Sequence, residues 1–141
     1  MSEQHYTYAD LVTRLEWEPS IPLEIKLRSG TVLTDSFHAK LDSGASHCYF
    51  DREFAEALGI DLSGPETTKV VTGSGRVLGW LRELEIVVPA WKQDQEPICL
   101  PVAVYFVNGR KGLALLGLVG FFNRLTLRID DANQQLWWRR P

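Results

Sequence analysis

The feature that most constrains the fold is a succession of short segments typical of β-strands, separated by turn-forming residues. Residues 21–27 alternate in character with a period of two, as a half-buried strand does, and a Ser-Gly turn follows them. Further segments of this kind are 31–33, 37–41, 70–78, 84–88, 98–107, 125–129 and 135–138. Regular alternation of strands with helices is absent, so the sequence predicts a small all-β fold.

One segment has the pattern of a helix. Asp51 can cap residues 52–58, an acidic side chain lies in the first turn, and Gly59 can end the helix. Residues 8–17 are compatible with a second short helix, which the prolines that follow would stop.

Length and composition limit the domain organisation. The chain has 141 residues, of which 45% are hydrophobic and 23% charged, values close to those of soluble globular proteins. This length suits one domain, so we predict an N-terminal arm over residues 1–20 and a single domain over 21–141.

Charge and hydropathy argue against several partners. The formal net charge is -3 and the basic residues are scattered, whereas a nucleic-acid surface needs clustered Lys and Arg. No apolar run approaches the roughly 20 residues of a membrane helix, and the first residues lack the pattern of a signal peptide. We therefore expect no nucleic-acid or membrane partner, and a cytoplasmic location.

Cysteine and histidine are too few and too dispersed to indicate a metal or a disulfide framework. Cys48 and Cys99 are predicted to be small buried apolar side chains rather than a disulfide in a reducing compartment. His5, His38 and the His47-Cys48 pair lack the spacing of metal ligands. We expect neither a metal nor a cofactor.

The segment most suggestive of chemistry follows the strand at 37–41. This strand runs directly into Asp42-Ser43-Gly44-Ala45-Ser46, which places a carboxylate, a hydroxyl and a glycine in a tight loop. Taken alone, Asp-Ser-Gly is also good turn chemistry, and an ordinary turn is then the simpler interpretation.

The order of several motifs changes that interpretation. An apolar strand, the loop at 42–46, a capped helix, a glycine-tipped hairpin at 70–78 and Leu115-Leu116-Gly117 follow one another. This order resembles that of the retropepsin-like aspartic peptidases, the family of retroviral and retrotransposon proteases and their bacterial relatives. The resemblance covers roughly residues 21–138.

The resemblance implies an acid-protease-like barrel that forms one subunit of a two-fold dimer. Asp42 matches the catalytic aspartate, and Ser43 matches the hydroxyl residue that locks the two active-site loops together. Gly44 and Ala45 match small residues that let backbone and substrate approach closely.

The same resemblance assigns two further segments. The hairpin tip Thr72-Gly73-Ser74-Gly75 is similar to the flap that closes over a bound peptide. Leu115-Leu116-Gly117 is similar to the segment that packs beneath the catalytic loop. The substrate implied is an extended peptide or protein.

The chemistry also requires a partner. Peptide hydrolysis by an activated water needs one group to accept a proton and another to donate one. The chain contains no second Asp-Ser-Gly or Asp-Thr-Gly, and Asp61-Leu62-Ser63-Gly64 has an inserted leucine. A homodimer that places Asp42 opposite itself is the simplest source of the second carboxylate.

One departure from the family pattern concerns an ion pair. Many retroviral members have an aspartate at the position of Ser46 and an arginine at the position of Leu118. Both charges are missing here, which is less costly than the loss of one, because no lone charge is left buried.

Other interpretations remain open beside the peptidase. The chain could be a non-catalytic dimerisation or peptide-binding module of the same fold, or an unrelated β-domain whose Asp42 is only a turn residue. A serine nucleophile at Ser46 with His47 as base is disfavoured, because neighbours on an extended chain point apart. Gly73-Ser74-Gly75 lacks the lysine of a phosphate loop. Trp137-Trp138 is predicted to pack in the core or at the dimer interface.

Overall fold

The computed structural model describes residues 4–7, 20–26, 32–64, 67–72, 75–88 and 96–139. Within these ranges the chain forms ten strands, one α-helix and one 3-10 turn. Their bounds are β1 (Gln4–Thr7), β2 (Ser20–Lys26), β3 (Val32–Leu41), β4 (Cys48–Asp51), α1 (Arg52–Leu58), β5 (Thr67–Thr72), β6 (Gly75–Val88), β7 (Ile98–Val107), β8 (Ala114–Leu116), the 3-10 turn (Phe122–Arg124), β9 (Thr126–Asp130) and β10 (Gln135–Arg139). The prediction of a mostly β fold with one clear helix is confirmed.

The strands form two sheets. Seven strands lie in the order β2-β3-β8-β4-β7-β6-β5, and β2 also pairs with β6. The pairs β3–β8 and β4–β7 are parallel, whereas β2–β3, β4–β8, β5–β6 and β6–β7 are antiparallel. The order β1-β10-β9 makes a smaller antiparallel sheet. The parallel pairs bring strands that are distant in sequence to one place, where β3, β4 and β8 adjoin.

The helix forms as its sequence predicts. Asp51 is the N-cap, and its carboxylate accepts a hydrogen bond from the amide of Glu53 at 2.9 Å. Gly59 ends the helix with φ 68°, a left-handed conformation that glycine adopts without steric cost. Asp51 is only 6% exposed, and its carboxylate also accepts a hydrogen bond from the amide of Arg110 at 2.7 Å, as a buried carboxylate requires.

Two strands are longer than predicted. The segments 31–33 and 37–41 are joined in β3, and the hairpin arm that was expected to end at Leu78 continues to Val88 in β6. The prediction of separate strands was therefore wrong at both places. In β3 the polar residues between the two segments coincide with a register shift opposite β2, so the strand continues although its pairing with β2 is irregular there. In β6 the ladder to β7 is continuous from Gly79 onward.

The N-terminal region contributes a strand. β1 pairs with β10, with Gln4 opposite Trp138 and Thr7 opposite Gln135. The helix predicted at residues 8–17 lies outside the described residues, and the division into an arm and a domain at residue 20 stays a prediction.

The core lies between the two sheets and the helix. Its largest fully buried side chains are Trp138, Phe50, Phe106, Phe121, Ile86 and Leu116. Cys48 belongs to this core, as predicted, but Cys99 is partly exposed, so the prediction that both are buried was wrong for Cys99. Neither cysteine forms a disulfide.

The terminal aromatic residues pack within the chain. Trp138 is buried in the core, whereas Trp137 lies under the guanidinium of Arg128, 4.1 Å from the ring centroid. β10 is paired on both edges, by β1 and β9, so its backbone already has partners within the chain.

Across the described ranges, no helix combines the length and the apolar content needed to cross a membrane.

Candidate active site

Asp42 follows the last residue of β3 and opens a tight loop. Its side chain is half-buried, whereas Ser43 and Gly44 are exposed. The amide of Gly44 donates a hydrogen bond to Oδ1 of Asp42 at 2.9 Å, and the amide of Ala45 donates to the Asp42 carbonyl at 3.1 Å. The loop therefore orients one carboxylate oxygen through its own backbone, as an Asp-initiated turn does.

A second segment, residues 116–119, is joined to this loop along its length. Hydrogen bonds run from the Asp42 amide to the Leu116 carbonyl at 3.0 Å and from the Leu118 amide to the Ala45 carbonyl at 2.9 Å. A third runs from the Val119 amide to the Ser46 carbonyl at 2.9 Å. These bonds satisfy loop backbone groups and fix the carboxylate of Asp42 relative to the sheet.

Gly117 lies at the closest approach of the two segments. A Cβ added there would overlap the carbonyl oxygen of His47 and would lie 2.7 Å from that of Ala45. The amide of Gly117 also points at the sulfur of Cys48, at 3.4 Å. Only glycine fits this position without moving backbone atoms of the loop.

Cys48 supports the loop from the core side. Burial raises the pKa of its thiol, and the hydrogen bond from the Gly117 backbone opposes that effect to a smaller extent. The thiol is therefore a packed neutral group rather than a nucleophile.

The structure brings most of the predicted site residues together. Asp42, Ser43, Gly44 and Ala45 form the loop, and Gly117 packs directly against it. Leu116 is buried in the main core, and Leu115 packs in a second apolar cluster that also contacts Ala45. The catalytic and supporting roles of these residues stay predictions.

The predicted flap is described only in part. Thr72 and Gly75 are paired at the end of the β5–β6 hairpin, and Gly75 has φ 113°. Gly73 and Ser74 lie outside the described residues. Val77, two residues beyond Gly75 on β6, packs on the same apolar cluster as Ala45, which connects the hairpin to the loop.

The sequence did not single out two tyrosines beside the loop. Tyr49 and Tyr105 stack with ring centroids 6.2 Å apart, and His47 packs edge-on against Tyr105 at 5.4 Å. Tyr49 and Tyr105 are opposite each other in the parallel β4–β7 pair. The chain neighbours of both tyrosines belong to the main core, so the tyrosines face the other side of their strands, and no local pattern in the sequence indicates that they meet.

One argument about His47 was wrong. Its Nδ1 lies 3.1 Å from Oγ of Ser46, so these neighbours do contact each other, because Ser46 is in a bend and not in an extended strand. The same hydroxyl lies 3.2 Å from the phenol oxygen of Tyr49. A serine nucleophile also needs a group that orients the imidazole, and within the described ranges His47 has aromatic rather than carboxylate neighbours.

A search of the described residues finds no group of three or more His, Cys, Asp or Glu side chains arranged to hold a metal ion.

Comparisons with known proteins show which structures and which family this chain resembles. A retropepsin-like aspartic protease from Rickettsia conorii has a similar structure, with a TM-score of 0.62 and 18% identity, over 97% of this chain and 98% of that one. The EIAV protease in complex with the inhibitor HBY-793 matches at a TM-score of 0.44 and 17% identity, over 75% of this chain and 86% of that one. No curated protein matches.

A family profile described as aspartyl protease matches residues 29–118. This range covers well over half of the chain and contains both the Asp42 loop and the Gly117 segment that holds it. The chain therefore belongs to the aspartyl protease family.

Proposed function

We propose that the protein is an aspartic endopeptidase whose active site contains Asp42 from each of two subunits. The observation that carries this proposal is the hydrogen bonding of the Asp42 loop to residues 116–119, with Gly117 at their contact. These hydrogen bonds and the contact at Gly117, which we call the Asp42 frame, hold a half-buried carboxylate at the end of a strand. An ordinary surface turn needs no such frame, as the exposed Asp61 illustrates.

The chemistry follows from pairing two such carboxylates. Two carboxylates about 3 Å apart cannot both ionise, so they share one proton and titrate as a pair. The ionised member accepts a proton from water while the protonated member donates one to the carbonyl oxygen of the peptide. No covalent intermediate and no metal takes part.

A two-fold homodimer supplies the second carboxylate, because an isologous contact places a residue on the axis opposite its own copy. Since each chain offers one Asp-Ser-Gly loop, the monomer is half of a site. The pairing of β2 with both β3 and β6 supports a barrel-like subunit. We expect this dimer in the cytoplasm.

The substrate we propose is an extended peptide held beneath the β5–β6 hairpin. β5 is the last strand in the sheet order, so it offers an edge to which an extended chain can add as a further strand. The hairpin and the Asp42 loop share one apolar cluster, through Val77 and Ala45, which supports a cleft between them. Backbone pairing then supplies affinity, and side-chain pockets supply selectivity.

Cleavage of a diverse peptide mixture, read by mass spectrometry from about pH 4 to pH 7, tests the proposal over the range in which a carboxylate pair titrates. Asp42→Asn keeps the shape of the side chain but cannot form an ionised dyad, so we expect cleavage to fall by a factor on the order of a hundred or more. Circular dichroism should show the fold unchanged.

Asp61→Asn is the matched control. Asp61 also begins a tight turn, with the Ser63 amide donating to its Oδ1 at 2.7 Å, but it is fully exposed and lies outside the framed loop. We expect this variant to cleave like the wild type. Cleavage that survives Asp42→Asn would contradict the peptidase proposal, and peptide binding without cleavage at any pH would favour the binding module.

A further inference from the structure

Two exposed apolar side chains follow Gly117. Leu118 is 45% exposed and Val119 is 49% exposed, and they belong to a group of four large apolar side chains so exposed among the described residues. The other two, Leu78 and Leu81, lie on β6. Single exposed apolar residues are common on protein surfaces, but two adjacent ones beside a candidate active site need a reason.

The backbone of this pair is held on both sides. The amides of Leu118 and Val119 donate to Ala45 and Ser46, and the Leu118 carbonyl accepts a hydrogen bond from the Asn123 amide at 2.9 Å. His47 and Val119 also form a parallel β-bridge. The exposure therefore belongs to an ordered surface rather than to a loose loop, and the surface is presented at low entropic cost to a partner.

The position of the pair limits what can cover it. A two-fold axis that brings the two Asp42 carboxylates together also passes close to every residue that is hydrogen-bonded to their loops. The amide of Leu118 donates a hydrogen bond to the carbonyl oxygen of Ala45, which is three residues after Asp42. The same surface on a second copy is then the nearest partner, since an isologous contact buries a surface against itself.

The chemistry of the surface suits contact with its own copy. Ser46, Leu118 and Val119 carry no formal charge, so two copies meet without like-charge repulsion and without an ion pair to desolvate. Two side chains bury too little area for a stable dimer, which needs roughly 800 Å² per partner. They can nevertheless form the dry centre of a larger interface, where truncation costs most.

We propose that Leu118 and Val119 form an apolar contact between two copies of this chain beside the paired Asp42 loops, in place of an ionic contact. This inference rests on the proposed dimeric site. It predicts that a charge placed on either side chain weakens the dimer far more than a charge placed on an equally exposed apolar side chain elsewhere.

Sedimentation velocity over a concentration series tests the contact, with the wild type, Leu118→Asp, Val119→Asp and Leu81→Asp compared. Leu81→Asp is the matched control, because Leu81 is 48% exposed but lies on β6, outside the Asp42 frame. We expect either substitution at the contact to raise the dissociation constant at least about tenfold, and the control to change it by less than about threefold.

Each outcome has a distinct meaning. A wild-type dimer that Leu118→Asp and Val119→Asp leave as tight as the control would overturn the contact but leave the paired Asp42 site standing. A wild type that stays monomeric while bound to peptide substrate would overturn the dimeric site itself. If an aspartate variant lost its circular dichroism signal, the milder Leu118→Ser and Val119→Thr would replace it under the same criteria.

Discussion

The amide of Asp42 donates a hydrogen bond to the carbonyl oxygen of Leu116 across 3.0 Å. These residues continue the parallel β3–β8 pair by one step, since Leu41 is opposite Leu116 in its register. The backbone of the candidate catalytic residue is therefore fixed by the sheet and not by its loop alone. Such positioning by regular elements is what an active site needs to hold a reacting group in place.

Replacing Gly117 by alanine should destabilise the fold. The added Cβ would overlap the carbonyl oxygens of His47 and Ala45, which are backbone atoms and cannot rotate away. We expect a loss of about 3 kcal/mol or more in the free energy of unfolding, the upper end of overpacking costs. Urea denaturation measures it.

Gly109→Ala is the control for that variant. Gly109 has φ +72° but nothing within 4 Å of an added Cβ, so only the left-handed backbone opposes alanine. This should cost about 1 to 2 kcal/mol. Equal losses at the two glycines would refute the steric account of Gly117.

Asp51→Ala should weaken the contact between α1 and the loop at Arg110. The carboxylate caps the helix through Glu53 and also accepts from the Arg110 amide, and both donors would lose this partner. The lost helix cap, together with a partly buried Arg110 amide left without its acceptor, gives an expected loss of about 2 to 4 kcal/mol in the free energy of unfolding, again read from urea denaturation. Asp61→Ala, at an exposed turn, should destabilise the fold far less than Asp51→Ala. A small effect at Asp51 would mean that water replaces both bonds.

The two thiols should react at very different rates. Cys48 is buried and burial raises the pKa of its thiol, whereas Cys99 is partly exposed. Since the thiolate is the reactive form, we expect Cys48 to be alkylated on the order of a hundred times more slowly than Cys99 in the native protein. Mass spectrometry of peptides after timed iodoacetamide treatment measures both rates. Comparable rates would show that the core opens around Cys48.

Asp130 should contribute stability that acid removes. The side chain and then the backbone amide of Asn133 donate to its carboxylate and lower its pKa below the ordinary value. A pKa lower in the folded than in the unfolded state gives stability that is present above about pH 4 and lost as pH falls through the folded value. Asn133→Ala removes the larger cause, so it should raise the pKa of Asp130 and reduce this loss. Carboxyl NMR titration of both proteins measures the pKa, and identical values would refute the assignment.

Local patterns predicted much of the fold. The Asp51 cap, the Gly59 stop and the strand patterns of β2 and β7 depend on neighbours along the chain, so sequence alone identified them. The continuity of β3 and β6 was missed, because turn-like residues within them lie in strands that are paired with neighbouring strands on either side of those residues, and this tertiary context overrides local preference.

The candidate site was also predicted only in part. The Asp42 loop was recognised as a motif, and Gly117 was associated with it by order along the chain. The stacking of Tyr49 on Tyr105 was not foreseen, since it depends on the register of a parallel pair that no local pattern specifies.

The sequence by itself determined the all-β class, the single capped helix and the family to which Asp42-Ser43-Gly44 points, because these depend on residue types at short separations. Tertiary structure alone decided why Gly117 must be glycine and why Leu118 and Val119 are held at the surface beside the loop. The reason is physical: steric fit and exposure arise only when β8, which is distant along the chain, is paired between β3 and β4.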